Sequence, residues 1–192
     1  MIVAHGFEPG ESGRVAHLFW QAFSDKLSRL LGPERRAVPY LARVLRAERA
    51  LVARDARGRL VGVAGVKTAQ GGFVGGGLAD LATIYGRAGA LWRAPVLAMM
   101  DRPLAADEML MDGLFVAPEA RGAGVGSALI RAVLSEARRR GCTAVRLEVI
   151  DRNLRARALY ERLGFVPTEE VRLGLLAPMF GFRQATTMRR PV

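Results

Sequence analysis

The chain has 192 residues, is 51% hydrophobic and carries a formal net charge of +11. This length and apolar content predict one globular domain over residues 1–192, with a sizeable core. The N-terminus has neither a basic leader nor an apolar run, and the single cysteine, Cys142, cannot form an internal disulfide, so we expect a cytoplasmic protein. The histidines His5 and His17 cluster with no other metal-ligating residue, so we expect no metal site.

Arginine dominates the positive charge, because only Lys26 and Lys67 among the 29 basic residues are lysines. A solvated arginine-rich surface would account for this bias. A functional origin would be attraction of a polyanionic cofactor, an acidic acceptor or nucleic acid. Aromatic residues interleaved with the arginines are lacking, which disfavours nucleic acid as a partner.

The N-terminal third alternates strand and helix patterns. A helix is predicted over residues 11–31, with Val15, Leu18 and Phe19 facing inward. Pro33 and Pro39 are taken to flank a break before a second helix. The remaining predictions are strands at 2–7, 51–54 and 60–67 and the second helix at 40–49.

Residues 69–107 form a long insertion between two strand patterns. A glycine cluster precedes a helical pattern that begins at Leu78. The charged residues Asp80, Arg87 and Arg93 interrupt the apolar run, so no membrane span is expected. The insertion could add to the core, form a homodimer contact, act as a lid with glycine hinges, or lie on a membrane surface.

A predicted strand at 108–116 leads into a glycine loop. Three glycines at 122, 124 and 126 follow Arg121 and stand where a helix pattern starts, and that helix runs to about Arg140. The first N–H groups of a helix have no internal partner and attract an anion. The loop fits neither a Walker motif nor a dinucleotide fingerprint, and an ordinary tight turn is the alternative.

A tyrosine-bearing helix follows the next strand, predicted at 143–150. Asn153 is the favoured cap, and Ala156 and Tyr160 share the inward face at a spacing of four. Gly164 ends this helix, Phe165 starts a return strand, and a last strand is predicted at 186–190. Tyr160 could be an ordinary core tyrosine or could reach a bound ligand.

These two motifs resemble those of the GNAT superfamily of N-acetyltransferases. Arg121, Gly124 and Gly126 fit the phosphate motif Q/R-x-x-G-x-G/A. The later motif N-x-x-A-x-x-x-Y-x-x-x-G-F is matched by Asn153, Ala156, Tyr160, Gly164 and Phe165. The resemblance implies an α/β (α+β) fold with a mixed, mostly antiparallel central sheet, helices on both faces, and the fourth and fifth strands splayed at an acyl-CoA cleft. It also implies acetyl-CoA, or another acyl-CoA, as donor and an amine as acceptor.

The resemblance further implies roles for individual residues. The glycine loop would wrap the pyrophosphate, the splayed strand would pair with the pantetheine arm and polarise the thioester carbonyl, and Tyr160 would protonate the departing thiolate. Asn153 would contact the arm, and Ala156 would let it pass. The implied cofactor-binding set is Leu114, Phe115, Val116, Arg121, Gly122, Ala123, Gly124, Val125, Gly126, Ser127, Asn153, Ala156 and Tyr160.

The general base is less determined. Glu108 and Asp112 are in phase on their strand, because residues two apart point to the same side. Asp112 is closer to the thioester-polarising segment and is the first candidate for a base or amine-orienting group, and Glu108, acting through water, is the second. Alternatively, Asp112 is a turn or bulge residue and water removes the proton.

The predicted reaction is direct attack of a primary amine on acetyl-CoA in a ternary complex, without a covalent enzyme intermediate. Cys142 lies at the far end of a helix from the glycine loop and is a poor nucleophile candidate. Two alternatives remain: a non-catalytic sensor of acetyl-CoA, and an enzyme that acetylates protein N-termini or lysines. The latter would need an open peptide groove rather than a closed lid.

Overall fold

The computed structural model describes residues 1–99, 103–172, 174 and 182–192. Strands are β1 (Ile2–His5), β2 (Ala50–Arg54), β3 (Leu60–Lys67), β4 (Glu108–Val116), β5 (Ala144–Ile150), β6 (Val166–Arg172) and β7 (Gln184–Pro191). Helices are α1 (Ser12–Leu31), α2 (Glu34–Val44), α3 (Leu78–Met99), α4 (Val125–Arg139) and α5 (Leu154–Arg162).

The seven strands form one sheet in the order β1-β2-β3-β4-β5-β7-β6. All neighbouring pairs are antiparallel except β4 and β5, which run parallel. The crossover between these two parallel strands is α4, as a parallel connection requires. The predicted α/β class, with a mixed and mostly antiparallel sheet, is therefore confirmed.

Helices cover both faces of the sheet and divide the core in two. One cluster lies under α1, α2 and α3 and includes Phe19, Leu41 and Phe115. The other lies under α4 and α5 and includes Leu129 and Tyr160. The two longest buried stripes belong to α1 and α4, whose apolar residues recur at the three-and-four spacing on which their sequence predictions rested.

The second helix departs from the prediction. It spans Glu34–Val44 rather than 40–49, and Pro39 lies inside it. Pro39 costs the helix one hydrogen bond, but Tyr40, Leu41 and Val44 are buried against the core. Tertiary packing therefore outweighs the local penalty of the proline.

The insertion contains α3, which is not one straight helix. Gly86, at φ 71° and ψ 168°, breaks the helical geometry, so two helical pieces meet at a kink. The second piece exposes Leu91, Trp92 and Met99 to solvent. Among the described residues, no helix combines the length and apolar character needed to cross a membrane. A homodimer contact through this segment stays a prediction.

The C-terminal strands are longer than predicted. The return strand continues to Arg172, and the last strand begins at Gln184 rather than 186. Between these two strands, residues 173 and 175–181 lie outside the described residues. β1 in turn ends at His5, two residues earlier than predicted.

Candidate active site

Strand β4 separates from β5 halfway along its length. The parallel pairing runs only from Glu108 opposite Ala144 to Met111 opposite Leu147. Beyond Met111, β4 stays paired with β3 alone, up to Val116 opposite Gly62. The predicted splay between the fourth and fifth strands is thus present, and it opens toward the end of β4.

A β-bulge sits where the splay begins. Gly65 of β3 pairs with Gly113 and the next residue, Val66, pairs with Met111, so Asp112 is the extra residue. A bulge bends its strand and re-aims side chains, and such bulges are common beside active sites. Asp112 is therefore a bulge residue, as the alternative interpretation of this position predicted.

The open edge of β4 presents backbone groups toward the gap. The Ala117 N–H donates a hydrogen bond to the Val61 carbonyl of β3, with an N···O distance of 2.8 Å. Because backbone groups alternate along a strand, the N–H groups of Leu114 and Val116 point the other way, toward the edge that β5 has left. Consistently, the Val116 carbonyl accepts a hydrogen bond from Arg121 Nε, at 3.2 Å.

The glycine loop ends at the N-terminus of α4. Gly122 and Gly124 have φ of 81° and 79°, a conformation that other residues adopt only with strain. Ala128 is the first residue of the helix whose N–H bonds to a preceding carbonyl, that of Gly124. The N–H groups of the first turn, before Ala128, are therefore available to an anion, as at phosphate-binding helix termini.

The loop, β4 and α5 converge at Gly126. A Cβ built there would lie 3.2 Å from a Leu159 methyl group and 4.0 Å from one of Leu114. The absence of a side chain at Gly126 thus lets α5 and the open part of β4 approach the first turn of α4. Three predicted binding elements come together at this point.

The other predicted loop residues divide by exposure. Arg121 and Ala123 are exposed, and Ser127 is half-buried, so all three are accessible from outside. Val125 is 4% exposed and packs into the core, so only its backbone could meet a ligand. On β4, Phe115 is likewise buried, against Phe19 with ring centroids 5.6 Å apart.

The tyrosine helix begins as predicted. Asn153 is its N-cap, and its side-chain oxygen accepts a hydrogen bond from the Ala156 N–H at 3.1 Å. Asn153 is exposed and Ala156 is half-buried. Tyr160 is buried, with its ring 6.0 Å from that of Phe165, and belongs to the same apolar cluster as Leu114.

The Tyr160 hydroxyl has no hydrogen-bond partner within the described residues. Among their side-chain nitrogen and oxygen atoms, only Arg146 Nε is both fully enclosed and unpartnered, so the Tyr160 oxygen must reach accessible space. Burial raises the pKa of Tyr160 to about 12. A buried phenol whose hydroxyl opens to a gap is arranged as a hydrogen-bond donor that stays protonated.

A cavity of about 520 Å³ lies against the other face of the sheet. Asp112 is exposed and lines this cavity. Its carboxylate and the Lys67 side chain both lie within 3.4 Å of the point that a Cβ on Gly72 would occupy. The other lining residues come from α1, α2, the glycine segment and α3: Phe19, Phe23, Lys26, Leu27, Leu31, Tyr40, Leu41, Gly71, Val74, Gly75, Gly76, Gly77, Leu78, Leu81, Ala94, Leu97 and Ala98.

Glu108 is not brought to this cavity. It lies at the opposite end of β4 from the splay, about 13 Å along the strand from Asp112. Its carboxylate accepts a hydrogen bond from Arg189 Nε at 2.7 Å in a partly buried ion pair. The in-phase spacing therefore did not place the two acids in one site.

Sequence reasoning missed Lys26 and Lys67, which both line the cavity. Burial lowers the pKa of Lys26, and the nearby Glu148 carboxylate opposes this shift. The Lys26 ammonium lies 5.8 Å from the Phe23 ring centroid. A signal was present: in a chain that otherwise uses arginine, the two positions that keep lysine face the same cavity.

In the part of the chain that the structure describes, no group of three or more His, Cys, Asp or Glu side chains could hold a metal ion. Cys142 is half-buried, follows the end of α4, and has a pKa raised chiefly by burial. The glycine loop lies at the beginning of that helix. The length of α4, about 22 Å, therefore separates the thiol from the predicted anion site.

Comparisons with solved structures match the whole architecture. An N-acetyltransferase from Staphylococcus aureus Mu50 superposes with a TM-score of 0.68 at 16% identity, covering 99% of this chain and 100% of that one. The ribosomal-protein-S18-alanine N-acetyltransferase from Escherichia coli gives 0.58 at 19% identity, covering 100% and 93%. At these identities the likeness establishes the fold alone.

Sequence comparisons locate the family. A curated relative, the thialysine N-epsilon-acetyltransferase of Bos taurus, is 44% identical over 54 residues, which are 28% of this chain and 32% of the relative. The matched stretch thus spans about a third of the length of that protein. A family model described as "Acetyltransferase (GNAT) family" matches residues 14–165, most of the chain. The chain belongs to the GNAT family of acetyltransferases.

Proposed function

We propose that this protein is an acetyl-CoA-dependent N-acetyltransferase that acts on a primary amine by direct attack in a ternary complex. The main observation that supports this proposal is the gap that opens between β4 and β5 beyond Met111. It has the glycine loop and Tyr160 on one face of the sheet and Asp112 with its cavity on the other. A donor and an acceptor could therefore meet at the gap from opposite sides.

The donor side fits a long phosphate-bearing thioester. Gly122 and Gly124 hold the backbone in the form that exposes the first N–H groups of α4, which suits a pyrophosphate. The N–H groups of Leu114 and Val116 and the Leu114 carbonyl point to this open edge and could pair with an extended amide-containing arm, as a further strand would. One of these N–H groups can polarise the thioester carbonyl.

The acceptor side has a carboxylate where an amine must lose a proton. We assign Asp112 to hold the ammonium and to take its proton or pass it to water. Glu108 is held by Arg189 away from the cavity, so Asp112 is preferred. The reaction forms an amide bond between the acceptor nitrogen and the acetyl carbon while the thioester C–S bond breaks.

Tyr160 is assigned to donate its hydroxyl proton to the sulfur as the C–S bond breaks. With a pKa of about 12, Tyr160 is a weaker acid than an ordinary thiol, whose pKa is about 8.5. The burial that raises the pKa of Tyr160 also disfavours a bare thiolate in the same gap. Burial therefore raises the pKa of the departing thiol as well as that of the tyrosine. Tyr160 thus stabilises the sulfur through a hydrogen bond along which the proton can transfer.

The cavity also bears on the alternatives. A non-catalytic sensor would need only the donor side, whereas Asp112 and the cavity give this protein an acceptor side as well. A peptide acceptor would need an open groove, but α3 and the 71–77 glycine segment wall the cavity. We therefore favour a small amine over a protein N-terminus or lysine.

The test has two parts. Calorimetric titration with acetyl-CoA should show saturable binding at about one site per chain. Thiol release should then depend on added amine, in a panel that includes thialysine, a monoamine and an N-terminal peptide. Binding without thiol release for any amine would favour the sensor, and the absence of binding would refute the proposal.

A further inference from the structure

The charged and the apolar residues that line the acceptor cavity lie at different ends of it. Its charged lining residues are Lys26, Lys67 and Asp112, two cations and one anion. Asp112 and Lys67 meet near Gly72, at the bulge where β4 leaves β5. The cavity is therefore polar where the amine must react.

Lys26 belongs to the same end. Its ammonium lies beside the Phe23 ring, and the Phe23 ring edge comes within 3.5 Å of the position of a Cβ on Gly113. Gly113 is the residue directly after the bulge. The charged groups thus gather at the β4 side of the cavity.

The far end is apolar. It is lined by Tyr40 and Leu41 of α2 and by Leu81, Ala94 and Leu97 of α3, which present mostly carbon atoms. Tyr40 is 4% exposed, and its ring packs 5.8 Å from that of Tyr85. Burial is the main cause that raises the pKa of Tyr40 to about 12, and Tyr85 and the Asp80 carboxylate add to the shift. Asp80 itself is paired with Arg43, whose Nε lies 2.7 Å from its carboxylate. A cation placed there would lose hydration without gaining an anionic partner among the described lining residues of that end.

We propose that the acceptor is a primary amine with an apolar body and no second positive charge, such as an alkylamine or arylalkylamine, rather than a diamine or polyamine. This inference rests on the proposed function for the identity of the reacting end. Among the described residues that line the cavity, Asp112 is the only carboxylate, so a second ammonium meets no second anion there, and two lysines already stand at the near end. A single ammonium, in contrast, can meet Asp112 while its chain fills the apolar end.

A matched pair of amines tests this directly. Hexylamine and 1,6-diaminohexane have the same six-carbon chain and differ only in the second ammonium. We expect hexylamine to bind at least about tenfold more tightly in calorimetry and to give at least about tenfold higher kcat/KM in thiol release. Equal values, or a preference for the diamine, would overturn the inference.

A charge placed in the far wall provides the second test. Ala98 lines the cavity on α3 and is exposed, so Ala98→Glu should fold. It should shift the hexylamine-to-diamine ratio at least about tenfold toward the diamine. The control is Leu91→Glu on the same helix, since Leu91 is 66% exposed and does not line the cavity. An unchanged ratio in Ala98→Glu, or an equal shift in Leu91→Glu, would overturn the inference.

These measurements separate the two proposals. If hexylamine binds selectively but no thiol is released from acetyl-CoA, the proposed function fails and the assignment of the cavity stands. If thiol is released only with diamines, the proposed function stands and the inference fails.

Discussion

Replacing Tyr160 by phenylalanine isolates the hydroxyl from the ring. The ring packs against Phe165 and into the core, and phenylalanine keeps those contacts. Since the hydroxyl has no partner within the described residues, its removal leaves no other group unsatisfied. We expect the free energy of unfolding to change by less than about 1 kcal/mol, and Tm by less than about 4 °C.

The effect on turnover should be much larger than the effect on stability. A hydrogen bond to a charged group contributes about 1.5–3 kcal/mol, which corresponds to about tenfold to a little over a hundredfold in rate. Proton transfer by a general acid contributes about 10²–10⁴-fold. We expect Tyr160→Phe to lower kcat by about a hundredfold, where the two ranges meet.

Three assays on one preparation measure these quantities. Thermal unfolding gives the stability change, calorimetry gives the acetyl-CoA Kd, and single-turnover thiol release gives the rate of the chemical step. The Kd should stay within about twofold, because the hydroxyl acts on the developing charge rather than on the bound thioester. A chemical step within about threefold of the wild-type rate would refute the assignment of Tyr160 as the acid.

The glycine loop, the bulge and the tyrosines give three more expectations. Gly124→Glu should abolish acetyl-CoA binding in calorimetry, because it puts a carboxylate and bulk at the predicted anion site. Asp112→Asn should lower kcat/KM for the amine by about 10²-fold in thiol release, with acetyl-CoA affinity retained. Near about pH 11 the folded protein should show less tyrosinate absorbance than the denatured protein, because burial raises the pKa of all three tyrosines above their usual value of about 10. Between about pH 10 and 12 the unfolded chain loses phenolic protons that the folded chain keeps, so stability falls as pH rises, by up to about 3 kcal/mol for Tyr160.

Each of these expectations has a matched control. Gly58 has φ of 77° and open space around it, so Gly58→Glu carries the same strain and charge away from the loop and should bind acetyl-CoA normally. Glu108→Gln should leave kcat/KM within about threefold, and a larger loss than in Asp112→Asn would reverse the assignment of the base. Denatured protein should titrate near the ordinary tyrosine pKa, and an identical curve for folded protein would contradict the burial argument.

The periodic elements could be predicted from the sequence, but α2 could not. The helix of residues 12–31 and the glycine-loop helix each carry a long apolar stripe bounded by clear ends, and both appear within two residues of their predicted limits. For α2, Pro39 was taken as a boundary on local grounds. In the fold, Tyr40 and Leu41 gain burial that offsets the proline, which no local pattern reveals.

The candidate site divides in the same way. The glycine loop and the Asn153 cap are local motifs, so spacing alone located them. The acceptor cavity joins residues as distant in sequence as Phe19 and Asp112, through packing of α1 and α3 onto the sheet. Its lining therefore depends on tertiary contacts, and Lys26 and Lys67 were visible in the sequence only as exceptions in an arginine-rich composition.

Asp112 is the extra residue of the bulge, so it can be removed without changing the pairing of the other residues of β4 with β3. Met111 and Leu114 pack with the cluster under α4, whereas Gly113 and Phe115 face α1. Removing Asp112 would leave an unbroken alternation of the two faces, with Met111 and Gly113 opposite consecutive residues of β3. A single-codon insertion or deletion at this point could therefore add or remove the acid while every other side chain of β4 keeps its side, so acceptor chemistry could be gained or lost without redesign of the core.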